Sequence, residues 1–399
     1  MTACWTPPAW FDRADEPPHI MSHWRYCVPT SIQFGRGTFA HAGGLARYLG
    51  GVPLIVTGRQ SSRRSGALER LLEQVPTAMV FDEVDENPNT ATCERGAERC
   101  RASGCDSIIA LGGGSPIDAA KAIAVLATNA GSCSDYFGAE RFIAPPLPLM
   151  AIPTTSGTGS EVTPYAVITN EADNSKRTIS GAALFPRVAI CDPELTVTMP
   201  RNVTIATGLD AVSQCMEGVV SRNSTPMGDI LALEGCRILR EWLPRAIAAP
   251  DDLDAREHVM FAAMLSGCVI AQSGTTIVHG MGYAYTCHAN IAHGLANALL
   301  LAPVFKHNAA YLPEKVAALA GALGLASGPP AEAVAAAVYS LLRDCGVDPA
   351  AKNHGTTPEM LDAFTHELIA EPYRFKNQVG EFTHESLRAL YKASHVGAA

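Results

Sequence analysis

Apolar positions between about residues 50 and 130 switch repeatedly between two spacings. Leu54-Ile55-Val56-Thr57 is a short, mostly β-branched run suited to a buried strand, whereas Leu68, Leu71 and Leu72 within Ser65–Gln74 fall at helical intervals. The alternation recurs, with Ala78–Val84 as a strand, Thr92–Ser103 as a helix, Ser107–Leu111 as a strand and Pro116–Thr128 as a helix. Strands separated by helices of about ten or more residues predict βαβ crossovers and a parallel sheet covered on both faces. Further strands are expected at Leu149–Ile152, Tyr165–Ile168 and Val188–Ile190.

Beyond Asp192-Pro193 the texture changes. From about Val203 the periodic, Ala-rich segments Asp229–Trp242, Ala255–Ile270 and Ala331–Asp344 predict helices almost to the end. The expected division is therefore an α/β domain over 1–200 and an all-helical domain over 201–399. The Pro- and Trp-rich residues 1–21 show no periodicity and read as an irregular arm.

The totals narrow the function classes. A chain of 399 residues that is 47% hydrophobic has core enough for two domains. Its 12 cysteines are scattered without a Cys-x-x-Cys pair, which suits small buried hydrophobes in a reducing compartment. A net charge of −9 argues against a nucleic-acid partner. No run of about 18 apolar residues occurs, so no membrane partner is expected and a cytoplasmic location is the default.

Two loops in the first half offer polar chemistry. Gly112-Gly113-Gly114-Ser115-Pro116 stands where a strand ends and a helix begins. Exposed backbone N–H groups and the helix dipole make such a turn a pyrophosphate cradle, although a tight structural turn fits a Gly triplet equally well. The triplet follows the third strand, so it is not the ordinary Gly-x-Gly-x-x-Gly fingerprint. Pro153–Glu161 is a second Ser/Thr/Gly loop after a strand, and its hydroxyls suit ribose and phosphate oxygens. The first strand ends at Gly58 with no acid for a ribose hydroxyl, and Arg59, Arg63 and Arg64 follow, which favours NADPH over NADH.

The second half carries candidate metal ligands. Asp210 and Gln214 are four apart, one above the other on a helix, and His279 and Tyr283 repeat that spacing. His293 opens a further helix. Two histidines and a carboxylate suit Fe(II) or Zn(II) with positions left open for substrate, and Gln214 adds a weak carbonyl oxygen. A blander reading of Asp210 is as a helix cap, because Thr207 precedes it by the spacing of a capping box.

Taken in order, Gly112–Lys121, Pro153–Glu161, Asp192–Leu195, Thr207–Ala211 and His279 with Ala292-His293-Gly294 resemble the iron-containing (group III) alcohol dehydrogenase family, over about Pro29 to Tyr391. The resemblance implies an N-terminal nucleotide-binding domain, a helical domain, and a metal and nicotinamide between them, a dehydroquinate synthase-like architecture. It implies metal ligands Asp210, Gln214, His279 and His293. It implies a phosphate loop Gly112, Gly113, Gly114, Ser115 and Pro116, and nicotinamide or ribose contacts at Thr154, Thr155, Thr158, Tyr165 and Lys176. Catalytic roles fall on Asp210, His279 and Tyr283, and a homo-oligomer, a dimer, is expected. Where the family usually has His, this chain has Gln214 and Tyr283, so a phenol takes over the proton relay. Leu209–Gln214 with Ser221–Pro226 resembles the phosphonoacetaldehyde reductase branch, with Arg177 and Arg222 as candidate cations for an anionic substrate. The expected enzyme is an NAD(P)H-dependent aldehyde reductase using Fe(II) or Zn(II), with phosphonoacetaldehyde reduced to 2-hydroxyethylphosphonate. The alternatives are a general short-chain alcohol dehydrogenase, a metal-free maleylacetate reductase-like enzyme, a dehydroquinate synthase-like lyase and a decayed nucleotide-binding protein.

Overall fold

The computed structural model describes residues 24–397 except 174 and 326; the arm expected over 1–21 lies outside them. Nine strands fall in the first half: β1 (Ser31–Phe34), β2 (Pro53–Gly58), β3 (Met79–Val84), β4 (Ser107–Gly112), β5 (Gly138–Ala139), β6 (Leu149–Pro153), β7 (Tyr165–Asn170), β8 (Ser175–Ser180) and β9 (Val188–Cys191). Six form a parallel sheet in the order β1-β9-β6-β4-β2-β3.

The helices of this half are α1 (Ala42–Leu49), α2 (Ser61–Arg64), α3 (Ala67–Gln74), α4 (Thr90–Ala102) and α5 (Gly114–Thr128). They explain why β4 and β6 are buried at every position. Leu54, Val56, Ile108 and Ala110 face a core that includes Ala97 of α4 and Ile117 and Ile123 of α5. Their alternates Ile55, Ile109 and Leu111 face Ala42 of α1 and Leu68 and Leu71 of α3. A central strand between two helical layers reads as an unbroken apolar run, which is how these strands appear in the chain.

One expected strand belongs elsewhere. Tyr165–Ile168 lies in β7 of a separate three-stranded sheet, order β5-β8-β7, where β7 runs antiparallel to β8. Strand β8 buries only Ile179 fully and is otherwise polar, so no apolar period marked it.

From Arg201 the described chain is helical: α6 (Arg201–Val220), α7 (Pro226–Ala248), α8 (Leu253–Ser273), α9 (Ile277–Ala289) and α10 (His293–Asn308), then four more helices to Val396. Helix α6 is buried at nearly every position from Thr204 onward, with α7, α8 and α10 packed around it. A helix enclosed on all sides carries no amphipathic stripe. Its start at Arg201 puts Asp210 in the third turn, so Asp210 is not the helix cap that Thr207 suggested.

The two halves meet closely. Gly159 (φ +62°) of the second polar loop touches Gly267 of α8 backbone to backbone, and a Cβ on Gly267 would lie 2.5 Å from the Gly159 carbonyl oxygen. Among the described residues no single helix is long and apolar enough to cross a membrane.

Candidate active site and metal centre

Helices α6, α9 and α10 bring Asp210, His279 and His293 together, with one ligand atom from each lying within 4.8 Å of the others. Asp210 Oδ1 is 3.6 Å from His279 Nε2 and 3.9 Å from His293 Nε2. The imidazoles meet edge to face, with centroids 5.3 Å apart. One hard carboxylate oxygen and two borderline nitrogens, converging beside a cavity with Asp210 and His279 buried and His293 partly exposed, fit a divalent cation of the iron or zinc kind.

The surroundings prepare these donors. Glu217, fully buried one turn beyond Gln214, accepts from Nδ1 of His279 and turns Nε2 toward Asp210. Its other oxygen takes the backbone N–H of Thr276 at 2.8 Å and of His279 at 3.2 Å, so the carboxylate also pins the first turn of α9. Asn297, four residues after His293, donates from Nδ2 to Asp210 Oδ1 at 3.1 Å.

Charge follows this geometry. Burial works against an imidazolium at His279, but Glu217 and Asp210 outweigh it and raise its pKa to about 10. Burial lowers His293 to about 4 against the pull of Asp210, so His293 is neutral, and its Nε2 accepts from Asn297 Nδ2 at 3.3 Å. Burial also pushes the Asp210 carboxyl up, but the bond and charge of His279 together with the Asn297 amide bring it below its usual value. A cation entering here displaces the proton on His279.

Gln214 is placed differently from the expected fourth ligand. Its Nε2 donates to Asp210 Oδ2 at 3.0 Å, while its Oε1 accepts from Ser266 Oγ at 2.8 Å. Tyr283 stacks on His293 with centroids 5.4 Å apart, and the Arg374 guanidinium lies 4.7 Å from its ring. Burial raises the phenol to about 12 in spite of Arg374, so it is protonated at neutral pH.

A cavity of about 600 Å³ joins this cluster to the α/β half, lined by Asp210, Gln214, His279, Tyr283 and His293 together with Gly114, Ser115, Thr158, Tyr165 and Lys176. Lys176 Nζ bonds Asn87 Oδ1 at 2.7 Å. The Tyr165 hydroxyl bonds the Ile270 carbonyl at 3.3 Å, tying β7 to α8. Gly58, Gly112, Gly113, Pro116, Thr154 and Thr155 do not line the cavity and form the layer behind it. Thr154 N–H bonds the Gly112 carbonyl at 2.9 Å, Thr155 packs on Gly113, and Gly58 packs near Pro116. Gly112 (φ +152°) adopts a backbone closed to other residues, and a Cβ there would meet the Pro116 ring at 2.7 Å. That turn aims the N-terminus of α5 at the cavity.

The arginines depart from expectation. Arg59 pairs with Asp85, and Arg63 with Asp82 and Glu69. Arg177 pairs with Asp173 at the surface. Arg222 holds the backbone of Asn377 and Gln378 at 2.8 and 2.5 Å instead of facing the cavity. A second cation lining the cavity besides Lys176 is Lys376, which pairs with no carboxylate among the described residues. Glu217 and Asn297 had a signal in their helical offsets from Gln214 and His293; Lys376 had none.

Residues 29–193 match the family model described as iron-containing alcohol dehydrogenase, and residues 204–395 match that of the family's C-terminal part. A choline dehydrogenase of Bacillus subtilis (strain 168) is 34% identical over 364 residues, covering 88% of this chain and 90% of that protein. The crystal structure of a 1,3-propanediol oxidoreductase superposes with TM-score 0.89 at 29% identity, covering 94% of this chain and 100% of the other. A sulfoacetaldehyde reductase from Bifidobacterium kashiwanohense, solved with NAD+, gives TM-score 0.87 at 30% identity over 94% of this chain and 99% of the other. The chain belongs to the iron-containing alcohol dehydrogenase family and is an oxidoreductase of the alcohol dehydrogenase type.

Proposed function

We propose that the enzyme reduces a short aldehyde bearing an anionic group, phosphonoacetaldehyde above all, to the primary alcohol 2-hydroxyethylphosphonate, with NADPH as donor and iron as metal. The observation that carries the substrate class is Lys376, a cation without an ion pair among the described residues that lines the same cavity as Asp210, His279, His293 and Tyr283. A phosphonate or sulfonate there gains a charge-assisted bond that a neutral aldehyde lacks. The likeness to a sulfoacetaldehyde reductase supports the same class.

When bound, the metal polarises a carbonyl oxygen and the nicotinamide supplies hydride. The remaining work falls to side chains. Asp210, His279 and His293 form the ligand set, kept in register by Glu217 and Asn297. The N-terminus of α5 and the hydroxyls of Ser115 and Thr158 receive the nucleotide. Tyr283 holds a proton on its Oη at the cavity wall, available to the substrate oxygen as the alcohol forms. NADPH is favoured because β2 ends at Gly58 without an acid and Arg64 has no ion pair among the described residues.

The test is NADPH oxidation with phosphonoacetaldehyde, sulfoacetaldehyde and propanal, for the native enzyme and Lys376→Ala. The expected result is a preference for the anionic aldehydes, with their KM raised roughly ten-fold or more by the substitution and that of propanal unmoved. Equal use of propanal by the native enzyme would instead identify a general short-chain alcohol dehydrogenase.

A further inference from the structure

Gln214 is the fourth ligand that the resemblance implies, yet its amide faces the wrong way for that task. Both groups beside Nε2, Asp210 Oδ2 at 3.0 Å and the Thr158 carbonyl at 3.4 Å, only accept hydrogen bonds. The group beside Oε1 is the Ser266 hydroxyl. Turning the amide over would set its oxygen against two acceptors, so the surroundings dictate the orientation. Asp210 is divided accordingly: Oδ1 faces the two imidazoles and Oδ2 faces Gln214.

The bonds lead across the cleft. Thr158 packs on Gly114 at the start of α5, where a Cβ would lie 2.8 Å from its methyl group. The Ser266 hydroxyl, whose nearer acceptors are the Ala263 carbonyl at 2.7 Å and Gln214 Oε1 at 2.8 Å, stands 3.4 Å from the Gly157 carbonyl. Gln214 therefore spans from the ligand carboxylate of the helical half to the backbone of the loop above the phosphate turn.

We propose that Gln214 is a positioning residue and not a metal ligand: a strut that fixes Asp210 and the Gly157–Thr158 loop together, leaving the metal with three protein donors. Partners of ligating side chains govern affinity and orientation without bonding the metal. Because the same amide braces the nucleotide loop, its loss weakens nucleotide binding even with no metal present. The inference rests on Asp210, His279 and His293 being the ligands.

The experiment uses Co(II) as probe in the full chain, native and with Gln214→Met, Gln214→His or Ser266→Ala. Three quantities are read: the visible cobalt spectrum, the cobalt Kd, and the NADPH Kd of metal-stripped protein by nicotinamide fluorescence. For Gln214→Met the expected result is an unchanged band position and intensity, a cobalt Kd raised about ten-fold or more and an NADPH Kd raised several-fold. Gln214→His shifts the spectrum by adding a nitrogen. Ser266→Ala, which leaves the amide in place, weakens NADPH binding with the spectrum unmoved and serves if Gln214→Met does not fold. A spectrum that changes in Gln214→Met as on losing a ligand, or an unaltered NADPH Kd in both Gln214→Met and Ser266→Ala, overturns the strut and leaves the metal site standing. Absence of cobalt binding in the native protein overturns the metal site and the strut together.

Discussion

The carboxylate of Glu217 and the imidazole of His279 form a buried hydrogen-bonded pair, joining the C-terminal part of α6 to the first turn of α9. The same carboxylate holds two backbone N–H groups of α9, so it determines both which imidazole nitrogen faces Asp210 and where that helix begins. Glu217→Gln removes the charge that favours Nδ1–H. Metal retained after dialysis is expected to correspond to an affinity about 10- to 100-fold lower, measured by elemental analysis. NADPH binding to the stripped protein should stay near the native value.

Removing a ligand outright is a harsher change. Asp210→Ala or His279→Ala is expected to abolish turnover, a loss on the order of 10³-fold or more if the metal contributes several kcal/mol. Chelator treatment of the native enzyme should match it, and readded metal should rescue only the native protein. Full turnover by metal-stripped Asp210→Ala would sink a metal-dependent mechanism.

Tyr283→Phe keeps the stack on His293 and removes only the hydroxyl. If the phenol delivers the proton, kcat falls about 10²-fold or more while NADPH affinity is retained. The native phenol titrates at about 12, so its proton is present throughout the neutral and mildly alkaline range. The kcat profile should therefore show no loss assignable to Tyr283 below about pH 10.

Glu161 is 5% exposed, and burial, only partly offset by its own backbone N–H and by Lys121, raises its carboxyl from 4.5 to about 7. The folded state then binds this proton more tightly than the unfolded chain. Stability from this group is present below pH 4.5 and lost as pH rises toward 7. Glu161→Gln should flatten that dependence. Denaturant titrations are expected to give a variant up to about 3 kcal/mol more stable at pH 8 and little changed at pH 4.

The residues that were legible beforehand share one property: their chemistry repeats at helical offsets. Asp210 with Gln214, and His279 with Tyr283, announce a common face from sequence alone. The apolar runs of β2, β4 and β6 were equally plain because both faces of each are covered. Failure came where tertiary context decides. Thr207 suggested a cap because α6, whose exposed first residues are Arg201 and Asn202, is enclosed from Thr204 onward and carries no stripe to mark where it begins. Strand β8 pairs through its backbone with polar side chains outward, leaving nothing for periodicity to detect. Arg222 drew notice beside a motif, yet its guanidinium is spent on the Gln378 carbonyl; Lys376 reaches the cavity from a distant segment that only folding brings there.

The Gly159–Gly267 contact bears on how such an enzyme can change its range of substrates. Side chains can be trimmed or enlarged by single substitutions, but here the spacing between loop and helix is set by main-chain atoms, and any side chain acts as a wedge. The width at this point is thus fixed against gradual adjustment. Diversification is left to side chains lining the cavity, such as Lys376, which pairs with no carboxylate among the described residues.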